Sequence, residues 1–98
     1  MSSLYVLTRK DLPLSSSAVQ AGHAVAEFLL RGPSTEWRNG TLIYLGVRNL
    51  RELNEWCQSL NKKGIEWVGF REPDLDNELT AIAAVSDDRM FFSDLRLL

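Results

Sequence analysis

The sequence predicts one α/β domain in which two helices cover a small mixed sheet. Two segments with helical periodicity alternate with short apolar runs of strand-forming residues. The last two of these runs are too close together for a helical crossover, so they should pair as a hairpin. The expected order is β-α-β-α-β-β in a three-layer α/β/α sandwich, with a mixed four-stranded sheet and antiparallel strands three and four. A chain of 98 residues builds one core, so residues 1–98 are predicted to form a single domain.

The first strand and helix follow from local patterns. The apolar run Leu4–Thr8 is typical of a buried strand. Ser17 with Gln20 three residues later matches a capping box, which predicts that the first helix begins at Ser17. The helix should continue to about Leu30 and end at Gly32, because a glycine followed by a proline is a helix stop.

The second strand and helix are predicted in the same way. Residues 34–40 have room for one short helical turn before the strand Thr41–Val47. Asn49 and Glu52 again form a capping-box pattern, and two lysines followed by Gly64 end the second helix.

Strands three and four are predicted at Ile65–Phe70 and Leu79–Val85. The loop between them carries four carboxylates: Glu72, Asp74, Asp76 and Glu78. The tail 86–98 is too apolar to remain in solvent, so it should pack on the sheet or against a second subunit.

Composition limits the classes of function. The net charge is −2, with the excess of acids in the second half of the chain, so any nucleic-acid role requires a local basic patch. The lone Cys57 excludes an internal disulfide, which favours a cytoplasmic location, and it falls on the apolar face of helix two as a core residue. No apolar run approaches the roughly 20 residues that span a bilayer, so no membrane role is predicted.

His23, the single histidine, lies on a polar stripe of helix one. It is either an incidental residue of a solvated helix face or a base directed at the edge of the sheet. Imidazole is the side chain best suited to accept a proton near neutral pH. Arg9, Lys10 and Asp11 follow strand one at the edge where the acidic loop follows strand three, so the two charged segments should face one crevice.

The acidic loop itself suggests a solvated hairpin turn more than a metal site. Asp74, Asp76 and Glu78 alternate like the start of a calcium loop, but Leu79 takes the position of the required glycine and Val85 that of the final glutamate. No metal and no cofactor are therefore predicted.

Three segments, LTRKDL, AVQAGHA and TAIA, together resemble the second type of peptidyl-tRNA hydrolase, the archaeal and eukaryotic-type enzyme. The family pattern is R-x-D-L after the first strand, Q-x-x-H-A on helix one and a Thr that opens the last strand. The order of elements is similar over nearly the whole chain. The resemblance implies a homodimer that hydrolyses the ester between a peptide and tRNA.

The resemblance also implies site residues. His23 would be the base or its orienter, Asp74 the carboxylate that aligns it, with Glu72 or Asp76 as alternatives, and Thr80 a hydroxyl donor. Arg9 and Lys10 would receive the tRNA 3′ end, and Asp11, Ser16 and Gln20 would complete the substrate-binding residues. Ser16 occupies the position of a family lysine, and the loss of that cation weakens the expected grip on phosphate.

Two other functions remain open from the sequence. A binding or regulatory module without catalysis would explain the missing lysines, with Met90, Phe91 and Phe92 forming a partner or dimer surface. Hydrolysis of a less anionic acyl ester or amide would suit the net charge better than a tRNA substrate does.

Overall fold

The computed structural model describes residues 2–32 and 37–98. Residues 33–36, which form part of the predicted short turn at 34–40, lie outside this range. The elements are β1 Ser3–Arg9, α1 Leu14–Arg31, β2 Leu42–Val47, α2 Leu50–Lys63, β3 Trp67–Glu72, β4 Glu78–Ser86 and β5 Arg96–Leu97. Two short 3₁₀ turns, Pro73–Leu75 and Met90–Phe92, complete the chain.

The sheet has five strands in the order β3-β4-β1-β2-β5. β1 and β2 are parallel, and all other neighbours are antiparallel, including the predicted β3-β4 hairpin. The prediction of four strands was wrong because the tail adds β5 at the edge of β2, where Leu97 pairs with Leu45. Phe92 anchors this tail, since its buried ring stacks on Tyr5 with the ring centres 4.1 Å apart.

A helix covers each face of the sheet, so the chain is an α/β domain with three layers. Alternate residues of β1 point to opposite faces. Leu4 and Val6 pack with Ala24 and Phe28 of α1, and Leu7 packs with Leu53 of α2. No helix in the described part of the chain is both long and apolar enough to cross a bilayer.

The start of α1 differs from the prediction. The helix begins at Leu14 after Pro13, and Ser17 is not its N-cap. Ser17 is buried inside the first turns, and its hydroxyl donates to the carbonyl of Arg9 at 2.7 Å. The same residue that matches a capping pattern therefore joins the helix to the end of β1.

The predicted ends of α2 are confirmed. The Asn49 side chain accepts a hydrogen bond from the backbone N–H of Glu52 at 3.0 Å. Gly64 has a left-handed backbone with φ of 73° and closes the helix.

The β3-β4 hairpin extends further into the acidic loop than predicted. Glu72 pairs with Glu78 at its end, and a bulge between Phe70 and Arg71 shifts the register before that pair. The turn itself has left-handed residues at Asp76 and Asn77.

Candidate functional site

A buried polar cluster lies between α1 and the sheet, where β1 ends. It comprises Thr8, Ser17, Gln20 and Thr80, each at most 5% exposed. Buried hydroxyl and amide groups lower stability unless they are hydrogen-bonded. Within the described residues, no buried side-chain nitrogen or oxygen lacks a partner. The cluster is therefore a complete hydrogen-bond network that ties three elements together.

One chain of hydrogen bonds runs from the interior of this cluster to its surface. The hydroxyl of Thr80 donates to Gln20 Oε1 at 2.8 Å. Gln20 Nε2 then donates to Glu72 Oε1 at 2.9 Å, at the end of β3. Because Gln20 has both a donor and an acceptor, it fixes the position of a loop carboxylate relative to a buried threonine.

A second set of contacts holds the start of α1 in place. Thr8 Oγ1 lies 3.4 Å from the carbonyl oxygen of Ser17 and 3.3 Å from that of Thr80. Ser17 in turn donates to the carbonyl of Arg9. These bonds fix the first turns of α1 on the ends of β1 and β4.

His23 lies on α1 one turn after Gln20, and its side chain is exposed. Its imidazole stacks on the ring of Phe70, with centres 4.3 Å apart and planes within 10°. Among the described residues, no hydrogen bond joins His23 to Asp74, Glu72 or Thr80. The imidazole is thus oriented by an aromatic face while its side chain remains exposed.

Glu72 is the loop carboxylate that contacts α1. Asp74 is exposed on the 3₁₀ turn, and its backbone N–H lies 3.4 Å from Glu72 Oε2. The pairing of Asp74 with His23 has no contact in support of it and stays a prediction. Asp76 is exposed at a left-handed position of the same turn.

Arg9 is buried in an internal ion pair. Its Nε and Nη2 donate to the two oxygens of Asp11 at 2.9 and 2.8 Å, and Nη1 donates to Glu78 at 2.7 Å. The bidentate contact with Asp11 raises the pKa of Arg9, and the same contact lowers the pKa of the Asp11 carboxyl. The two charged segments meet as predicted. They meet through hydrogen bonds within the protein, and these bonds occupy the side chains of Arg9 and Asp11, which were predicted to bind substrate.

Lys10 and Ser16 have different surroundings. The methylenes of Lys10 lie over Gly46, where a Cβ would collide with them. Lys10 lines a cleft of about 490 Å³ together with Arg48, with Trp56 of α2 and with Arg96 of β5. Ser16 is half-buried on α1, directly before Ser17. The structure therefore separates Lys10 from His23 by placing them on opposite sides of the sheet.

A second cleft, of about 380 Å³, borders the Phe70 ring at the edge of β3. It is lined by Glu27, Arg31, Trp67, Gly69, Phe70, Arg71 and Leu79. Arg31 pairs with Glu27 at 3.1 Å and is mostly exposed, and Arg71 is exposed as well. The cleft next to His23 thus combines an aromatic wall with two cationic side chains, one of which is paired with Glu27.

Cys57 is a core residue, as predicted. It is 7% exposed, and burial raises the pKa of its thiol to about 11, so it remains protonated. In the described ranges, no three His, Cys, Asp or Glu side chains are grouped to hold a metal ion.

The sequence did not reveal the partners of the predicted residues. Phe70 gave no signal beyond a strand-forming aromatic, and Ser17 was interpreted as a cap. Gln20 and His23 share one helical stripe, and this spacing was the signal that the amide and the imidazole point to the same edge.

Comparison with known proteins gives a fold and no activity. No protein-family profile and no curated protein matches this sequence. Among solved structures, the chain is similar to a protein of unknown function from Agrobacterium tumefaciens strain C58. The TM-score is 0.69 at 12% sequence identity, over 99% of this chain and 97% of the other. The similarity shows a shared fold alone.

Proposed function

We propose that this protein is a hydrolase that cleaves acyl esters of the peptidyl-tRNA type, with His23 as its base. The proposal depends on one observation: the hydrogen-bond chain from Thr80 through Gln20 to Glu72 and the exposed imidazole of His23, stacked on Phe70, are held by the same two elements, α1 and β3. The resemblance to type-2 peptidyl-tRNA hydrolases supplies the substrate class.

His23 would accept a proton from the attacking water. Ester hydrolysis requires a base for that water and donors for the oxyanion that forms on the carbonyl. The stacking on Phe70 limits rotation of the ring, so its nitrogens are presented to one side. A carboxylate of the acidic loop would align the imidazole once substrate is bound, and Glu72 is nearer to α1 than Asp74 by its contact with Gln20.

Thr80 acts here as a positioning residue. It is fully buried, and its hydroxyl lies close to Gln20 Oε1 and to the Phe70 carbonyl, at 2.8 and 3.3 Å. It therefore holds the Gln20 amide in a single orientation. That orientation in turn places Glu72.

The tRNA end would be bound at the cleft beside Phe70. Arg31 and Arg71 supply positive charge there, although the chain as a whole carries −2. The 3′-terminal base can stack on an aromatic side chain such as Phe70. A tRNA substrate and a single cysteine, which cannot form an internal disulfide, are both consistent with the cytoplasm.

The test is release of the acyl group from N-blocked aminoacyl-tRNA by the purified protein. For His23→Ala we expect kcat/KM to fall by about 10²-fold or more, the usual contribution of a general base. Gln58→Ala is the matched control because Gln58 is an exposed residue of α2, on the other side of the sheet. Equal release by wild type and His23→Ala would refute the role of His23.

A non-catalytic tRNA-binding module is the second candidate. It is favoured by the absence of a hydrogen bond between His23 and any described carboxylate, since a catalytic histidine is normally oriented by a third group. Salt-dependent tRNA binding without turnover would support this function, and loss of that binding in Arg31→Ala and Arg71→Ala would locate it. Turnover of a small acyl ester without tRNA affinity would instead indicate a different acyl substrate.

A further inference from the structure

The cleft that Lys10 lines lies where the two parallel strands of the sheet end. Lys10 directly follows β1, and its backbone N–H donates to the carbonyl of Val47, the last residue of β2, at 2.8 Å. Arg48 directly follows β2. The chain passes from β1 to α1 on one face of the sheet and from β2 to α2 on the other. In open α/β sheets, ligands bind in the crevice at such a point, because the two connections diverge there.

The volume of this cleft, about 490 Å³, is in the range of sites for small molecules. Most of the charge around it is balanced within the protein. Arg48 Nε donates to Glu52 at 2.8 Å, and Glu55 lies 3.7 Å from Arg51. Within residues 2–32 and 37–98, the lining side chains that form no ion pair and no hydrogen bond include three charged ones: Lys10, Asp94 and Arg96.

The indole N–H of Trp56, in the wall of the cleft, is a further donor without an acceptor. Trp37 and Trp67 donate their indole N–H groups at 2.9 Å, to a backbone carbonyl and to a side-chain amide. The N–H of Trp56 meets no acceptor in the described part of the chain. Its ring is half-buried and stacks on Phe92, with centres 5.6 Å apart. Because half-buried indoles normally have a partner, a ligand in the cleft would complete this one.

Gly46 allows the side chain of Lys10 to lie across β2. A Cβ built at Gly46 would collide with Lys10 Cδ. Gly46 also pairs with Arg96 of β5, so the lysine stem lies next to the strand that carries the second free cation. A glycine inside a strand weakens it and commonly marks the close approach of another group or a ligand. The glycine is therefore explained by the position of Lys10 in the cleft.

The free groups define the ligand that would fit. Lys10, Arg96 and the Trp56 N–H are all donors, so they require an acceptor, and the two cations favour one that carries negative charge. Two cations against the one carboxylate of Asp94 leave a charge of +1. A monoanion balances this charge. A dianion fits less well, because the cost of removing its water grows with the square of its charge and its attraction to the site only in proportion.

We propose that this cleft binds a small organic carboxylate with an apolar or aromatic body. The carboxylate would lie between Lys10 and Arg96 and accept from the Trp56 N–H, and the body would pack on the Trp56 ring. The site is independent of the proposed hydrolase function, since it shares no residue with the Gln20 network or with the cleft beside Phe70.

The first experiment titrates the full chain with phenylacetate and follows the three indole N–H groups by NMR spectroscopy. The Trp56 signal, assigned by its loss in Trp56→Phe, should shift with a millimolar dissociation constant, as expected for so small a ligand. The Trp67 signal reports on the cleft beside Phe70 and should shift much less. Phenylacetamide, which is neutral, should bind about tenfold more weakly. An unmoved Trp56 signal, a larger shift of Trp67, or equal binding of the amide would overturn the proposal.

Removal of either free cation should weaken the binding of phenylacetate. Lys10→Met and Arg96→Gln should each raise the dissociation constant by about tenfold, because each removes a charged donor while keeping most of the side-chain length. Lys62→Met is the matched control, since Lys62 is an exposed residue in the last turn of α2 and does not line the cleft. Unchanged binding in the first two variants, or an equal loss in Lys62→Met, would show that these cations do not form a site.

Gly46→Ala tests the position of Lys10. Its methyl group should displace the lysine stem and weaken binding in wild type, but it should have little further effect in Lys10→Ala, whose side chain ends at Cβ. An equal loss in both backgrounds would contradict a role of Lys10 in the site.

Phenyl phosphate tests the class of anion. Above its second pKa of about 6 it carries two negative charges, so it should bind more weakly than phenylacetate at neutral pH. Asp94→Asn raises the free charge of the cleft and should improve the binding of phenyl phosphate more than that of phenylacetate. Tighter binding of phenyl phosphate to wild type would overturn the assignment of a carboxylate.

Discussion

The two faces of the sheet differ in how they fix the end of β1. On the α1 face, four polar side chains are buried and hydrogen-bonded to one another or to backbone carbonyls. On the α2 face a hydrophobic cluster packs around Leu7 and Leu53, and burial in this cluster raises the pKa of the Cys57 thiol to about 11. Apolar burial contributes most of the free energy of folding, whereas a polar network requires specific geometry. The α2 face thus has a hydrophobic cluster, whereas the α1 face combines its own hydrophobic cluster with a hydrogen-bonded polar network.

Loss of apolar volume on the α2 face should lower the free energy of unfolding the most. Leu53 is fully buried against β1, so Leu53→Ala should lower the free energy of unfolding by about 2–5 kcal/mol through lost burial and a residual cavity. Urea denaturation measures it, with exposed Leu97→Ala as control, for which about 0.5 kcal/mol or less is expected. A change below about 1 kcal/mol for Leu53→Ala would show that this face does not dominate stability.

Removal of the Gln20 amide on the α1 face should lower the free energy of unfolding by a smaller amount, and this amount should depend on whether Thr80 is present. Gln20→Met keeps the volume but removes the hydrogen bonds to Thr80 and Glu72, so a loss of about 1–2 kcal/mol is expected. In a double-mutant cycle, Thr80→Val combined with Gln20→Met should cost less than the two single changes added together. Strict additivity in urea denaturation would mean that the two side chains do not act as a unit.

Removal of the ion pair at the end of β1 should change the free energy of unfolding the least, and the size of this change should depend on pH. Arg9 lowers the pKa of the Asp11 carboxyl, so the pair stabilises the fold above the unfolded pKa of about 3.9 and loses this contribution as pH falls through the folded pKa. Asp11→Asn should therefore cost about 1 kcal/mol at neutral pH, because Asp11 is partly exposed and screened by solvent.

The difference in the free energy of unfolding between Asp11→Asn and wild type should disappear in acid. Urea denaturation of both proteins at neutral pH and well below pH 4 measures this difference. A difference that stays constant over this range would show that the carboxyl carries no charge-dependent contribution.

Local sequence patterns were sufficient for most of the fold. Asn49 and Gly64 bound α2 as predicted, because caps depend on residues a few positions apart. The β3-β4 hairpin followed from the short spacing between two apolar runs. The fifth strand was not predictable in the same way, since Arg96 and Leu97 form a strand through contact with Leu45 and Gly46 of β2.

The sequence predicted which residue types of the candidate site lie at one edge of the sheet. It did not predict which of these residues contact one another. Periodicity placed Gln20 and His23 on one stripe of α1. It could not select among the loop carboxylates, because the bulge after Phe70 and the Glu72–Glu78 pair decide which of them reaches the helix. Charge counting likewise could not show that Arg9 would be neutralised by Asp11 and Glu78.

The sequence by itself determined the order of the first four strands and the two helices, the apolar faces and the residue types at the end of β1, because these depend on local spacing. Only the tertiary structure decided that Arg9 is engaged within the protein, that Glu72 joins Gln20 and Thr80, and that His23 stacks on Phe70. Each of these contacts joins residues about 50 or more positions apart. Strand register and the packing of α1 fix such distances, and neither is encoded in a short stretch of chain.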